Sequence, residues 1–173
     1  MQVNTVPDFS KMAQELKDDA LLYAEVKAEN FFKETFMLGG FTDVAFEKWA
    51  DRKTEMTGFK TLQLTGALRD SVSTFSEQAL YRVIVQTDMP YSEIHNEGGT
   101  INVKVTPKMR KYFWAMFKAS GQERWKGMAM TKKTQFTIRI PKRQFIGESF
   151  TLMATLDDWL AKEIEKRFKQ IKT

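Results

Sequence analysis

Residues 71–87, SVSTFSEQALYRVIVQT, set the class of this 173-residue chain. Tyr81-Arg82-Val83-Ile84-Val85-Gln86-Thr87 is dense in β-branched side chains and reads as a strand, and Ser71 to Ser76 alternates more weakly ahead of it. The four residues between them, Glu77 to Leu80, are a hairpin's length, so the two strands are expected to be antiparallel. Helical sequence lies upstream. From Phe9 to Leu38 the residues Phe9, Met12, Leu16, Ala20, Tyr23, Ala24, Ala28, Phe31 and Phe32 recur at three- and four-residue steps, which gives one apolar face. Asp8 or Ser10 is placed to cap the start of that helix. Gly39-Gly40 ends it, because glycine accepts the left-handed C-terminal conformation. A less regular stretch follows, with Trp49 and Phe59 expected as core anchors.

Downstream, Pro90 breaks the strand, and residues 91–99 read as a turn-rich approach to a second hairpin. Ile101, Val103 and Val105 alternate with polar residues as a strand does. Pro107 opens a short helix from Lys108 to Lys118, and residues 119–134 read as a basic loop or hairpin tip. Gln135 to Ile140 is a strand with Phe136, Ile138 and Ile140 on one face, stopped by Pro141. A last helix over 150–171, capped by Ser149 or Thr151, puts Leu152, Leu156, Trp159, Leu160, Ile164, Phe168 and Ile171 on its buried face. Its basic C-terminal end matches the negative pole of the helix dipole. The expected fold is therefore α+β, an antiparallel β-sheet flanked by a long N-terminal helix and a C-terminal helix. One domain is expected over 1–173, with a sheet region at 64–149 interrupted by a basic insertion at 106–134.

Composition removes several classes of function. With 42% hydrophobic and 28% charged residues the chain has the mixture of a folded soluble protein rather than a disordered one. The absence of cysteine rules out disulfide scaffolds, thiol nucleophiles and cysteine-based zinc sites. His95 is the only histidine, so histidine clusters for a metal are excluded as well. No apolar run reaches the roughly 18 residues of a membrane span. The opening MQVNTVPDFSKMAQ has no apolar stretch behind a basic start, so no secretory signal is expected. These readings together suggest a cytoplasmic protein of a reduced compartment, with no cofactor and no membrane partner.

The case for an enzyme is weak. His95 invites a Ser-His-Asp reading, but no nucleophile elbow of G-x-S-x-G type accompanies it, and a turn histidine bonded to backbone groups is the plainer reading. Asp18-Asp19 and Asp157-Asp158 are neighbours in sequence only, since adjacent helical residues point about 100° apart. Gly39-Gly40 and Gly98-Gly99 lack the lysine and the spacing of a phosphate loop.

Binding has more support. Residues 101–150 carry 12 basic and 2 acidic side chains, +10, while the whole chain is +5 and residues 1–50 are −4. Lys104, Lys108, Arg110, Lys111, Lys118, Arg124, Lys126, Lys132 and Lys133 interleave with Tyr112, Phe113, Trp114, Phe117 and Trp125. Basic residues suit phosphates and aromatics suit bases, yet aromatics at helical spacing also suit a core or a subunit interface. The asymmetry fits either a nucleic-acid-facing patch or head-to-tail packing of unlike faces in an oligomer.

Three segments, read in order, resemble one family. They are Leu64-Thr65-Gly66-Ala67-Leu68-Arg69-Asp70-Ser71, then Pro90-Tyr91-Ser92-Glu93-Ile94-His95-Asn96-Glu97-Gly98-Gly99, then Ile140-Pro141-Lys142-Arg143-Gln144-Phe145-Ile146-Gly147-Glu148-Ser149. Their order and spacing are similar to those of the phage virion morphogenesis family of Mu-like tail completion proteins, whose members show L-x-x-T-G-x-L-x-x-S, Y-A-x-I-H-x-x-G and I-P-x-R-x-F-[IL]-G segments. Ser92 stands where the family often has alanine, and no role transfers onto the stretch between Gly99 and Ile140.

The resemblance implies a structural, non-enzymatic virion protein at the head-proximal end of a phage tail, assembled in the host bacterial cytoplasm. It implies a homo-oligomeric ring, often a hexamer, that completes the tail, joins it to neck, connector and tail-tube proteins, and lets DNA pass through its lumen. Tail terminator and neck adaptor are the alternative roles, and a basic nucleic-acid-binding module is the rival of another class. The positions carried over are Thr65, Gly66, Leu68, Ser71, Tyr91, His95, Gly98, Arg143, Phe145 and Gly147. Gly66, Leu68, Phe145 and Gly147 are expected to hold the fold. For His95, Arg143 and the 119–134 tip a contact between subunits stands beside the purely structural reading.

Overall fold

The computed structural model describes residues 7–51 and 60–171, with the side chain of Ile171 outside that description along with Phe59. It is mixed α and β: a long N-terminal helix, short antiparallel ribbons and a C-terminal helix. The chain divides into two compact units, one formed by the residues up to 97 together with those from 142 onward, the other by Gly98–Pro141. The second unit is thus wider than the 106–134 insertion expected from sequence, because it takes in the whole ribbon from which the insertion springs.

The first unit is built on α1 (Phe9–Leu38). Asp8 caps it by accepting the Lys11 N–H at 3.0 Å, and Gly39, at φ 73°, closes it with its N–H on the Thr35 carbonyl at 2.8 Å. Its buried side chains are Leu21, Ala28, Phe32, Thr35 and Phe36, whereas Phe9, expected on that face, is exposed. A tight ribbon follows, β1 (Gly40–Thr42) against β2 (Phe46–Lys48). A Cβ on Gly40 would strike the Glu47 carbonyl oxygen and the Phe46 ring, so only glycine fits there.

The 71–87 stretch forms the expected hairpin. Strand β3 (Ser73–Glu77) pairs antiparallel with β4 (Arg82–Gln86) in a register running from Ser73↔Gln86 to Glu77↔Arg82. A 3₁₀ turn at Gln78–Leu80 and Tyr81 in the left-handed region (φ 46°) join the strands. Thr74 fastens the hairpin to α1, its hydroxyl donating toward the Glu25 carbonyl and the Glu29 carboxylate at 3.1 and 3.0 Å.

Helix α6 (Phe150–Ile171) is capped by Ser149, whose Oγ accepts the Leu152 N–H at 3.2 Å. It runs antiparallel to α1: Trp159 stacks on Tyr23 with ring centres 4.3 Å apart, and Arg167 pairs with Asp19 nearer the start of α1. The core lies where these elements meet, formed by Ala28, Phe32, Phe36, Phe41, Trp49, Leu68, Val72, Phe145 and Leu152. Phe36 sits at its centre, 5.6 Å from the Trp49 ring and 5.1 Å from the Phe145 ring.

In the second unit β5 (Gly99–Lys104) pairs antiparallel with β6 (Gln135–Ile140), Gly99 opposite Ile140 and Lys104 opposite Gln135. Between the strands stand α4 (Pro107–Ser120) and α5 (Glu123–Ala129). Thr106 caps α4 by accepting the Met109 N–H at 3.2 Å, with Pro107 in the first turn, where a missing N–H costs nothing. The 119–134 segment is therefore not a loop or hairpin tip throughout. Trp125 and Ala129, one helical turn apart on α5, turn inward, and Trp125 stacks on Phe113 of α4 at 6.0 Å. Phe113 in turn meets Phe136 of the ribbon at 6.1 Å, giving this unit an aromatic core of its own. Among the described residues the three two-stranded ribbons share no strand, so the β-structure there is a set of separate antiparallel ribbons.

Candidate functional site

The 64–71 segment and the parts of the other two that lie outside Gly98–Pro141 belong to the first unit, where Leu68 and Phe145 share one core. The 64–71 segment enters as a turn followed by the one-turn helix α2 (Ala67–Asp70), not as a direct lead into a strand. Thr65 Oγ1 accepts the Ala67 N–H at 3.3 Å, and Gly66 takes the left-handed conformation (φ 76°) that begins the turn. Leu68 drops into the core. The Ser71 hydroxyl donates to the Leu68 carbonyl at 2.8 Å and lies 2.6 Å from the Thr87 hydroxyl, tying the turn to the end of the hairpin.

The 90–99 and 140–149 segments are the two points at which the chain leaves and re-enters this unit, and they are clamped together. Residues Ser92–Asn96 form the short helix α3. The His95 carbonyl accepts the Arg143 N–H at 2.8 Å. The Asn96 carboxamide oxygen accepts both the Phe145 and Ile146 N–H groups, at 2.8 and 3.0 Å. The Arg143 guanidinium is buried and donates through Nε and Nη2 to the Ala50 carbonyl at 3.1 and 3.0 Å. Trp49 completes the bracket, its indole N–H on the Gln144 carbonyl at 2.7 Å. Phe145, only 1% exposed, plugs the core beneath. Gly147 sits beside the Gln144 side chain, and Gly98, at φ 72°, begins the second unit. Asn96 was not singled out in sequence, although an asparagine closing a turn is the residue type that caps backbone N–H groups.

His95 differs from the plain expectation. Its backbone, not its ring, makes the bonds: Nδ1 is buried without a hydrogen-bond partner among the described residues, and the ring lies edge-on to half-exposed Tyr91 at 6.0 Å. Burial and then the nearby Arg143 charge push the imidazole pKa below its ordinary 6.5, so the ring is held neutral. Among the described residues no group of three His, Asp or Glu side chains is placed to hold a metal ion. An open groove of about 580 Å³ between α1 and α6 is lined by Glu15, Glu163 and Arg167, whose charges already answer one another.

Two surfaces remain to be accounted for. On α6, Phe150, Met153, Ile164 and Phe168 are 37–70% exposed and follow one line along the helix, with Asp157 and Ala161 at the intervening steps. Ile164 and Phe168 were expected on the buried face. Glu163 and Arg167 occupy that place instead, because Arg167 reaches Asp19 and the Met12 carbonyl of α1. Exposed apolar stripes also follow Leu22 and Val26 on α1.

The second surface belongs to the Gly98–Pro141 unit. Lys104, Lys108, Lys111, Lys132 and Lys133 are exposed, whereas Arg110 is turned inward to brace α4 against the end of α5, donating to the Ala129 and Thr131 carbonyls at 2.8 and 2.6 Å. Lys126 pairs with Glu123 at 3.4 Å and lies over Phe117, and Arg124 lies over Trp125, so these two cations of the expected patch, like Arg110, have partners inside the unit. No helix among the described residues is long and apolar enough to cross a membrane. Compared with protein-family models, with curated proteins and with solved structures, the chain matches none.

Proposed function

We propose that this protein is a structural subunit of a phage virion that completes the tail at its head-proximal end and joins it to the head, as a ring of copies of this chain. The observation that carries the assembly reading is the α6 stripe. Four large apolar side chains, Phe150, Met153, Ile164 and Phe168, are exposed along one line of a helix whose other face is packed. Exposed apolar pairs at both ends of one helix line, Phe150 with Met153 and Ile164 with Phe168, support a protein contact, and the occupant proposed is a second copy of the chain. A contact between one face of a subunit and a different face of the next closes into a ring when its rotation closes.

The virion setting rests on the likeness of the three segments, and their chemistry supports a scaffold role. Three side chains of the clamp hold backbone: the Asn96 carboxamide oxygen accepts from two N–H groups, and Arg143 and Trp49 donate to carbonyls. None of the three is aimed at a reacting centre. Neck, connector and tail-tube proteins are the proposed neighbours, and virion is the proposed location. Tail terminator or neck adaptor use of the same ring is the second reading, favoured by no separate observation.

Light scattering on a sizing column, at low and moderate salt, tests the proposal. A species near six copies, or a monomer that becomes one when tail-tube protein is added, supports it. A monomer in every mixture overturns it.

A further inference from the structure

We infer that Gly98–Pro141 is a nucleic-acid-binding unit whose contact face is the exposed side of α4, with Lys108, Lys111 and Lys118 on phosphates and Tyr112 and Trp114 on bases. The unit holds ten basic residues and one acidic residue, a net of +9, against −4 for the rest of the chain. Its single acid, Glu123, is already taken by Lys126. The unit therefore carries a positive excess that its own acid does not offset, and an excess of this size attracts polyanions.

The first unit of a second copy is the weaker source of that charge: its net is only −4, and several of its acids already have cationic partners, Glu29 in Lys33, Glu77 in Arg82, Asp158 in Lys162, Glu165 in Lys169, and Asp19 and Glu163 in Arg167. A nucleic acid suits the face better because of what stands between the lysines. Positions 108, 111 and 118 fall on one side of α4 and span about 15 Å of helix, the length of several phosphates. Tyr112 and Trp114 flank that line, 54% and 39% exposed. Both rings are braced from beneath, Tyr112 edge-on to Trp125 at 6.2 Å and Trp114 edge-on to Phe117 at 5.9 Å. A rigid aromatic ring with a free face beside cations is a platform for a base.

The test titrates the full-length protein onto labelled single-stranded and duplex DNA across a salt series. The parent is expected to bind with an affinity that falls steeply with salt. K108E/K111E/K118E should weaken binding at least ~tenfold and flatten the logarithmic salt slope by about three. K108Q/K111Q/K118Q, which removes charge without reversing it, should give a smaller loss in the same direction. Trp114→Ala should cost about fivefold or more on the single strand and little on the duplex, assigning the bases. An equal absence of loss on both would overturn the stacking half of the inference. No binding by the parent at low salt, or a triple variant as tight as the parent, overturns the whole. Loss of self-association in the triple variant, with nucleic-acid binding unchanged, makes a second copy the partner and equally overturns it. A monomer that binds DNA keeps this inference and removes the ring, and a ring that binds none does the reverse.

Discussion

The Arg143 guanidinium and the Phe145 ring, two residues apart, do opposite jobs at one place: the first is buried on the Ala50 carbonyl, the second fills the core against Phe36. Phe145→Ala leaves a cavity that the surrounding rings cannot fill, and it should lower the unfolding free energy by about 3–5 kcal/mol in a urea melt. His95 makes stability depend on pH. Its folded pKa lies below 6.5, so as pH falls through 6.5 the unfolded chain binds a proton that the folded ring resists. Stability should therefore rise with pH up to 6.5 and flatten above it. His95→Gln should remove that part of the slope in melts taken at successive pH values, and an unchanged slope would count against the buried neutral ring. Glu29 acts at the other end of the scale: the Lys33 ammonium and the Thr74 hydroxyl hold its carboxyl below 4.5, a contribution lost as pH falls further.

Among the elements, α3 holds the 142–149 return through the His95 carbonyl and, at two amides, through the Asn96 carboxamide. Asn96→Ala would strand the Phe145 and Ile146 N–H groups, at a cost of about 1–3 kcal/mol, and hydrogen exchange at those two amides should speed up before exchange in α1 does. The elements differ in how readable they are. Helix α1 is announced by Asp8, by its apolar spacing and by Gly39, and the β3–β4 hairpin by the run Val83-Ile84-Val85; all of these are local signals. Helix α5 is not announced, because Lys132 and Lys133 after it and Gly121 before it read as loop. What makes it a helix is Trp125 finding Phe113, a contact made across the α4–α5 turn.

At the scale of the whole molecule, the α6 apolar line and the basic face of α4 lie in different units, and salt separates their proposed roles. Phe150→Ser with Phe168→Ser should abolish assembly measured by light scattering while changing the melt little, since both side chains are more than half exposed. Assembly through that stripe should persist as salt rises, whereas DNA binding by the second unit should fall. A salt-sensitive mass in solution would instead place ionic contacts between the copies. The pattern of residues is enough to read the α+β class, the two long helices with their caps, the hairpin at 71–87 and the concentration of positive charge after residue 98, because each depends on neighbours within a few turns of chain or on simple counting. It also draws attention to His95, Arg143 and Phe145. What folding alone settles is which side chains are spent. Arg110 and Arg143 look like surface cations in sequence and are consumed by carbonyls, Ile164 and Phe168 look like core and are left exposed, and Asn96 looks like a turn residue and pins two amides. A side chain's partner is fixed by contacts dozens of residues away, and no local periodicity records them.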